Sequence, residues 1–424
     1  MAKILLLSYG CEPGRGSEAG IGWQWVNHLS QQHEVFVLTH PRGRAAIQAQ
    51  LAREPRPQLH VKYVELPRFI DPWRLLPGEQ AIQFRYIMWQ LAAYRAARKI
   101  VATEEIDLVH HVSWTTMTGP TLAWALDRPF IWGPVGSGQR APLQMRRFLG
   151  LKGWLREAFR NTQVSTVNFN LLARAAASHS AVAFASNHDT YARLQQIGAT
   201  DVRLQPDAAV PGNWLLPEPP PARDRERIVI AWASRMMARK SPGLAVEAFA
   251  RLRAVHDAEL WFIGDGPLIA ETRAHAARLG LERDVKFWGW IDHERMPELL
   301  SEADIFLFTS LRDTCPMPVM EAMARGLPIV ALDLHGVRYL PDNAVLKVPA
   351  EDPQRLVADV ADALLDLALS PELRASCGAA AWASVRDGHL WTHRFAGVEA
   401  GYRAILGEPV IEPAWNERHG CAAD

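Results

Sequence analysis

Residues 3–40 read KILLLSYGCEPGRGSEAGIGWQWVNHLSQQHEVFVLTH, and this stretch decides the fold. KILLLSYG is a short apolar run that ends in a turn signal, as a buried strand does. A glycine-rich loop, CEPGRGSEAG, follows. IGWQWVNHLSQQ has helical periodicity, and HEVFVLTH returns to a strand pattern. Strand, glycine loop, helix and strand in that order make a βαβ unit. Further strands are expected at HVKYVEL, DLVHHVS and PFIWG, with helical stretches between them, notably over 79–103. A parallel sheet flanked by helices therefore accounts for residues 1–205.

The pattern breaks at 206–224, PDAAVPGNWLLPEPPPARD. Six prolines there argue for a linker. It then restarts: RIVIAWAS, AELWFIGDGP, VKFWGW, ADIFLFTS and PIVALD are strands, with SPGLAVEAFARLRAV and LIAETRAHAARLG as helices between them. A second doubly wound domain is expected over 225–390, with a closing helix and tail over 391–424. Two such domains would form a cleft, and ligands in open α/β sheets sit outside the carboxyl ends of the strands.

The bulk numbers suit a globular chain of 424 residues with equal numbers of acidic and basic groups, 46 of each. The charge is uneven. Residues 1–205 carry 23 basic and 14 acidic side chains, leaving 23 and 32 for the remainder, so the halves are +9 and −9. A basic half suggests an anionic partner. The four cysteines (Cys11, Cys315, Cys377, Cys421) lack metal-type spacing and disulfide density, which fits a reducing cytoplasm. The apolar run 4–7 is too short for a signal-peptide core, and no stretch approaches the roughly 20 apolar residues of a membrane span. Nothing points to nucleic acid.

Four features fall at strand carboxyl ends. Gly14 and Gly16 precede the first helix, where backbone can approach an anion; a tight turn explains them equally. Arg235 and Lys240, in ASRMMARKS, flank a loop between strand and helix. Two cations at a helix start suit a diphosphate, although solvated surface charge is the plainer alternative, and Arg239 reads as that. Gly264, Asp265 and Gly266 form half of a dinucleotide fingerprint but lack its full spacing, so NAD binding is poorly supported. Finally, in LRDTCPMPVMEAMARG (311–326), Asp313 lies in a loop and Glu321 early in a helix that closes at Gly326. They could be a loop acid and a helix opening at Pro318. They could also hold two hydroxyl-bearing ends of one ligand. A nucleotide sugar has phosphates, a ribose diol and a sugar polyol, matching two cations and two carboxylates.

Here the sequence resembles a known family. ASRMMARKSPGLAVEAF, ELWFIGDGP, VKFWGWIDHERMPELLSEADIFLFTS and DTCPMPVMEAMARGLPIVALD match, in order, blocks of the retaining GT-B glycosyltransferases with the E-x7-E signature. The amino half is similar more loosely, through GRGSEAGIGWQWVNHLSQQHEVFVLT, DLVHHVSW and RPFIWGPVGSGQ. The resemblance implies a GT-B fold, with two Rossmann-like domains and an interdomain cleft. It implies that Arg235 and Lys240 neutralise the donor diphosphate and that Glu321 binds the ribose. Asp313 would contact the donor sugar, and Gly14 and Gly16 would approach the phosphates. It places a histidine of DLVHH near the donor sugar; His111 is preferred, His110 aligns comparably, and strand alternation lets only one face a cleft, while a core histidine explains either one equally. Gly136 and Gly138 would lie on the acceptor side.

Two departures stand out. Asp313 replaces the usual Glu. Thr314, Cys315, Pro316 and Met317 replace the glycines that usually present N–H groups to the donor, and Pro316 has no N–H. The implied reaction is transfer of a sugar, with retention, from a nucleotide-diphosphate sugar to a saccharide or lipid-linked acceptor, without metal or other cofactor. A nucleotide-sugar epimerase or a catalytically silent binding protein is the alternative. Basic and bulky apolar residues mix at 66–100 and 140–160, so an anionic membrane surface at the inner face of the cell membrane is a candidate partner; an ordinary helical face packed on the sheet explains them equally.

Overall fold

The computed structural model describes residues 1–66, 80–221, 223 and 225–409. Its first sheet has seven parallel strands: β1 (Lys3–Ser8), β2 (Glu34–Thr39), β3 (Leu59–Tyr63), β4 (Leu108–Ser113), β5 (Phe130–Val135), β6 (Val182–Ala185) and β7 (Val202–Leu204). Their order is β3-β2-β1-β4-β5-β6-β7. The second sheet has six: β8 (Ile228–Ala233), β9 (Ala258–Ile263), β10 (Val285–Gly289), β11 (Ile305–Phe308), β12 (Ile329–Leu332) and β13 (Val345–Val348), ordered β10-β9-β8-β11-β12-β13. Every described ladder is parallel, from Lys3 opposite Glu34 to Leu332 opposite Val348. Each sheet reverses its strand order once, between β1 and β4 and between β8 and β11.

The helices of the first half are α1 (Ser17–Gln32), α2 (Arg44–Arg53), α3 (Gln80–Thr103), α4 (Arg146–Ser165), α5 (Leu171–Ser178) and α6 (His188–Gln196). Those of the second are α7 (Pro242–Arg253), α8 (Ile269–Arg278), α9 (Met296–Ser301), α10 (Met317–Ala324), α11 (Leu356–Leu369), α12 (Pro371–Gly388) and α13 (Trp391–Leu406). All six residues of β4, β5 and β8 are buried. That is why these segments read as unbroken apolar runs rather than alternating ones: a parallel sheet is covered on both faces.

The chain divides into two compact units. One comprises Met1–Gly138, Gln163–Asp207 and the chain from Phe395 on; the other comprises Gln139–Thr162 and Ala208–Arg394. The division between Asp207 and Ala208 lies within 206–224, but two segments cross the expected boundaries. Met145, Leu149, Phe148 and Trp154 join the core of the second sheet, which draws 139–162 away from the first. The closing helix α13 returns to the first unit, where the Tyr402 hydroxyl bonds His110 of β4 at 2.6 Å.

Among its described residues, the proline-rich stretch forms no helix or strand beyond a turn at Gly212–Trp214 and a bridge from Val210 to Leu390. It is nevertheless packed down, with Ala208, Ala209, Val210 and Trp214 buried. Among the described residues, no helix is long and apolar enough to cross a membrane.

Candidate active site

The second sheet builds a cationic edge at the carboxyl ends of β8 and β11. Trp232 of β8 is fully buried, and its indole N–H donates to Thr309 Oγ1 at 2.9 Å. The Thr309 hydroxyl lies 2.9 Å from the Lys240 carbonyl and 3.1 Å from that of Ser241, and donates there. This anchors a turn in which Ser241 takes the left-handed conformation (φ 48°). Lys240 is thereby fixed at the start of α7, its side chain 7% exposed, and Nζ donates to Asp313 Oδ2. Burial lowers the Lys240 pKa to about 8, against the opposing pull of the Asp313 charge.

Asp313 is held from three sides. Besides Lys240, Thr314 N donates to its Oδ1 at 3.1 Å, and Arg239 Nη1 lies 3.9 Å away. Burial acts to raise its pKa, but the charges of Lys240 and Arg239 outweigh it and hold the carboxyl below its ordinary range. Arg239 was expected to be solvated surface charge. It is instead mostly covered and donates to the Arg312 carbonyl at 2.8 Å. Arg235 follows β8 on an exposed turn.

A second acid, Glu157 of α4, was not foreseen. It is 3% exposed and accepts from Arg312 Nε at 2.6 Å and Nη2 at 3.1 Å, a two-pronged pair. Burial raises its pKa; the bonds and charge of Arg312, with Arg160 and Arg239, lower it further. Gln139 Nε2 donates to Thr314 Oγ1 at 2.6 Å, and Arg160 Nη1 to the Gln139 carbonyl at 2.7 Å. The loop 312–314 is thus gripped by segment 139–160. Pro316 is buried against Gly336, where a Cβ would stand 2.8 Å from its Cδ and 3.2 Å from the Thr314 carbonyl. Cys315 and Met317 are partly covered.

Glu321 lies in the second turn of α10, 8% exposed, with Oε1 3.2 Å from His293 Nε2. His293 packs on Trp214, with ring centroids 4.5 Å apart. The helix ends as expected at Gly326 (φ 69°): Gly326 N bonds Met323 O at 2.9 Å and Leu327 N bonds Ala322 O at 3.1 Å, the paired pattern of a left-handed cap. His293 was not singled out in the sequence; only its place after a strand of the same sheet hinted at it.

Gly264 and Gly266 act on the Arg235 turn. A Cβ on Gly264 would meet the Ser234 carbonyl at 2.2 Å, and one on Gly266 the Met236 carbonyl at 2.4 Å. The close approach lets Met236 N bond the Asp265 carbonyl at 2.9 Å, so the loop after β9 locks the loop after β8. The Asp265 side chain is turned back on Gly266 N at 2.6 Å.

In the first unit, Gly16 caps α1 and Gly14 sits at φ 71° with open space where a Cβ would be. Alternation along β4 separates the two histidines, but both rings are completely buried. His110 Nε2 donates to the Gly133 carbonyl at 2.6 Å; the carbonyl can only accept, so Nδ1 accepts from Tyr402. His111 Nε2 meets Tyr86 Oη at 3.2 Å and Gln90 Nε2 at 3.4 Å. Burial lowers both pKa values to about 3, so both rings are neutral. Neither presents a surface to a ligand in this structure. Gly136 and Gly138 are buried as well, Gly138 because Thr190 Cα lies 2.4 Å from where its Cβ would be.

Two parallel sheets of seven and six strands with interleaved helices are the GT-B fold. Residues 227–366 match the family model described as Glycosyl transferases group 1. HepE of Anabaena, solved with UDP and glucose, superposes with a TM-score of 0.62 at 16% identity, covering 95% of this chain and 100% of that one. Alpha-D-kanosaminyltransferase of Streptomyces kanamyceticus is 28% identical over 153 residues, which is 35% of this chain and 38% of that protein. The amylovoran biosynthesis glycosyltransferase AmsK of Erwinia amylovora is 35% identical over 134 residues, 30% of this chain and 33% of that protein. The chain thus matches little more than a third of the length of these curated relatives.

Proposed function

We propose that the protein transfers a sugar, with retention, from a nucleoside-diphosphate sugar to a saccharide or lipid-linked acceptor. The setting would be cell-surface polysaccharide or glycolipid synthesis. The observation that carries this reading is the grouping of Arg239 and Lys240 on Asp313 at the carboxyl ends of β8 and β11, with Arg235 in the loop after β8 and Glu321 on the helix that follows β11. The cations exceed the local acids there, as a donor diphosphate requires. The relatives' named activities agree, since two are sugar transferases and HepE was solved with UDP and glucose.

In this reading the bond from the anomeric carbon to the β-phosphate oxygen breaks, and the acceptor hydroxyl oxygen bonds the same carbon on the same face. Its proton passes to the departing phosphate. Lys240 and Arg235 stabilise the charge that builds on the diphosphate, Glu321 takes the ribose hydroxyls and Asp313 contacts the sugar. The chain's work is orientation and charge stabilisation, with cationic side chains in place of a metal.

The test is thermal unfolding with UDP, GDP, ADP, TDP and NAD, with and without EDTA, followed by donor turnover assays. A diphosphate at about 100 times its dissociation constant should add roughly 2.7 kcal/mol. A shift with one base, unaffected by EDTA, and sugar transfer to an added acceptor are expected. No shift with any diphosphate would favour a silent fold, and an epimer formed without acceptor would replace transfer.

We also propose that an anionic membrane surface presents the acceptor. α4 exposes Leu151, Leu155 and Phe159, four residues apart on one helical face, beside exposed Lys152 and Arg156. α3 exposes Phe84, Ile87 and Leu91. Of the basic-apolar stretch at 66–100, residues 67–79 lie outside the described residues. Vesicles containing anionic lipid should sediment the protein at low salt and neutral vesicles should not; equal sedimentation by both, or by neither, refutes this.

A further inference from the structure

The loop that carries Asp313 lacks the glycines usual in the family it resembles, yet it is rigidly placed. We infer that Glu157 is a positioning residue, which aims Asp313 by clamping its neighbour Arg312 from α4. The inference rests on the transferase reading for its kinetic consequences.

The geometry is specific. Arg312 is 15% exposed and Glu157 4% by side chain, and two of the three guanidinium nitrogens meet the two carboxylate oxygens. A fork fixes direction as well as distance, which a single ion pair does not. The Arg312 carbonyl, on the other side of the same residue, takes a bond from Arg239. Arg312 is therefore held at side chain and backbone, and Asp313 follows it directly. Gln139 bonds Thr314 on the far side of Asp313, so segment 139–160 holds both neighbours of the acid. Asp313 itself has one oxygen on Lys240 and one on Thr314 N. Its aim depends on where residues 312 and 314 are held.

A group that only adds stability would lower the unfolding temperature and leave turnover alone in the folded protein. A group that aims a ligand contact changes turnover without changing the affinity set elsewhere. The described partner of Glu157 is Arg312, whereas Lys240 bonds Asp313 and Glu321 meets His293. Glu157→Gln should therefore keep nucleoside-diphosphate affinity while kcat falls by on the order of 100-fold, the scale of an ångström-sized misplacement. Arg312→Lys, which keeps the charge and loses the fork, should behave alike. The double variant should lose no more than either single variant, because both break one clamp.

The experiment measures kcat, KM and diphosphate affinity for these three variants, in the full chain, at a temperature where each is folded. Its second arm needs no activity. Lys240 is labelled with an amine-acylating reagent near neutral pH, and its modification is followed by mass spectrometry. With Asp313 no longer aimed at it, Lys240 Nζ is less covered, so acylation should quicken severalfold in Glu157→Gln. If wild-type protein turns over no donor, the transferase reading fails, and the acylation arm alone decides the clamp. Wild-type kcat or unchanged Lys240 labelling in folded Glu157→Gln overturns it, as do additive losses in the double variant. Should Glu157→Gln not fold, Arg312→Lys carries the same comparisons.

Discussion

Lys240 Nζ donates to Asp313 Oδ2 across two loops of one sheet edge, and neither side chain is more than 19% exposed. The pair joins the residue assigned to the diphosphate to the residue assigned to the donor sugar. Lys240→Ala should lower turnover by on the order of 100-fold or more, the usual cost of removing one preorganised charge contact. Orphaning a buried charge typically costs about 3–5 kcal/mol. Here the loss should be smaller, because Arg239 stays at 3.9 Å from Asp313 and Thr314 N remains bonded to it. Steady-state kinetics and urea unfolding on the same preparation check both figures; wild-type turnover in the variant would remove Lys240 from the mechanism.

A pH dependence follows from the same side chain. Burial lowers the Lys240 pKa to about 8, below its ordinary 10.5. In the free protein its charge is present below pH 8 and lost as pH rises through that value. Nucleoside-diphosphate binding should therefore weaken up to tenfold per pH unit above about 8. Stability runs the other way: between about 8 and 10.5 the unfolded chain binds the extra proton, so this group favours folding more as pH rises. Calorimetric titrations from pH 7 to 9.5 should show the bend, and Lys240→Arg, whose charge does not titrate in this range, should flatten it.

The sequence showed the strands because parallel strands buried on both faces must be apolar throughout, and KILLLSYG and RIVIAWAS have no other reading. It showed the Gly326 cap, because only a residue tolerant of φ 69° ends that helix cleanly. It did not show where segment 139–162 packs. That depends on Phe148, Leu149 and Trp154 finding the second core, and helical periodicity is indifferent to which core a helix meets. Nor did it show the pair of Glu157 and Arg312, 155 residues apart. Arg239 looked like surface because a cation in a loop is usually solvated, yet its partner is a backbone carbonyl, which leaves no trace in composition. The two histidines of β4 alternate as the strand requires, but alternation says nothing about solvent, and both are sealed in.

Those histidines predict acid sensitivity. His110 and His111 are neutral in the fold, with pKa values of about 3, and ordinary in the unfolded chain at about 6.5. Between these values the unfolded state binds more protons, so stability is lost as pH falls below about 6.5. Unfolding free energy measured in urea at pH 7, 6 and 5 should decline with a slope of up to about two protons from this pair. His111→Gln should reduce the slope by about one proton relative to wild type, whatever it does to stability at pH 7. A slope unchanged by the substitution would mean that His111 is not the group taking up the proton.

Glu321 supplies the most selective test of the ligand assignment. Its carboxylate is 8% exposed and its one described side-chain partner is His293 at 3.2 Å, a geometry that a ribose diol could share or replace. Hydrogen bonds to a charged group are worth about 1.5–3 kcal/mol each. Wild-type protein should therefore prefer a ribonucleoside diphosphate over its 2′,3′-dideoxy counterpart by roughly 10- to 100-fold. Glu321→Ala should lose affinity for the ribonucleotide by a similar factor and bind both analogues alike, since the discriminating acceptor is gone. The comparison is internal to each protein, so a general loss of stability cannot imitate it. Equal binding of the two analogues by wild-type protein would take the ribose away from Glu321 and leave the His293 pair as a structural contact of α10.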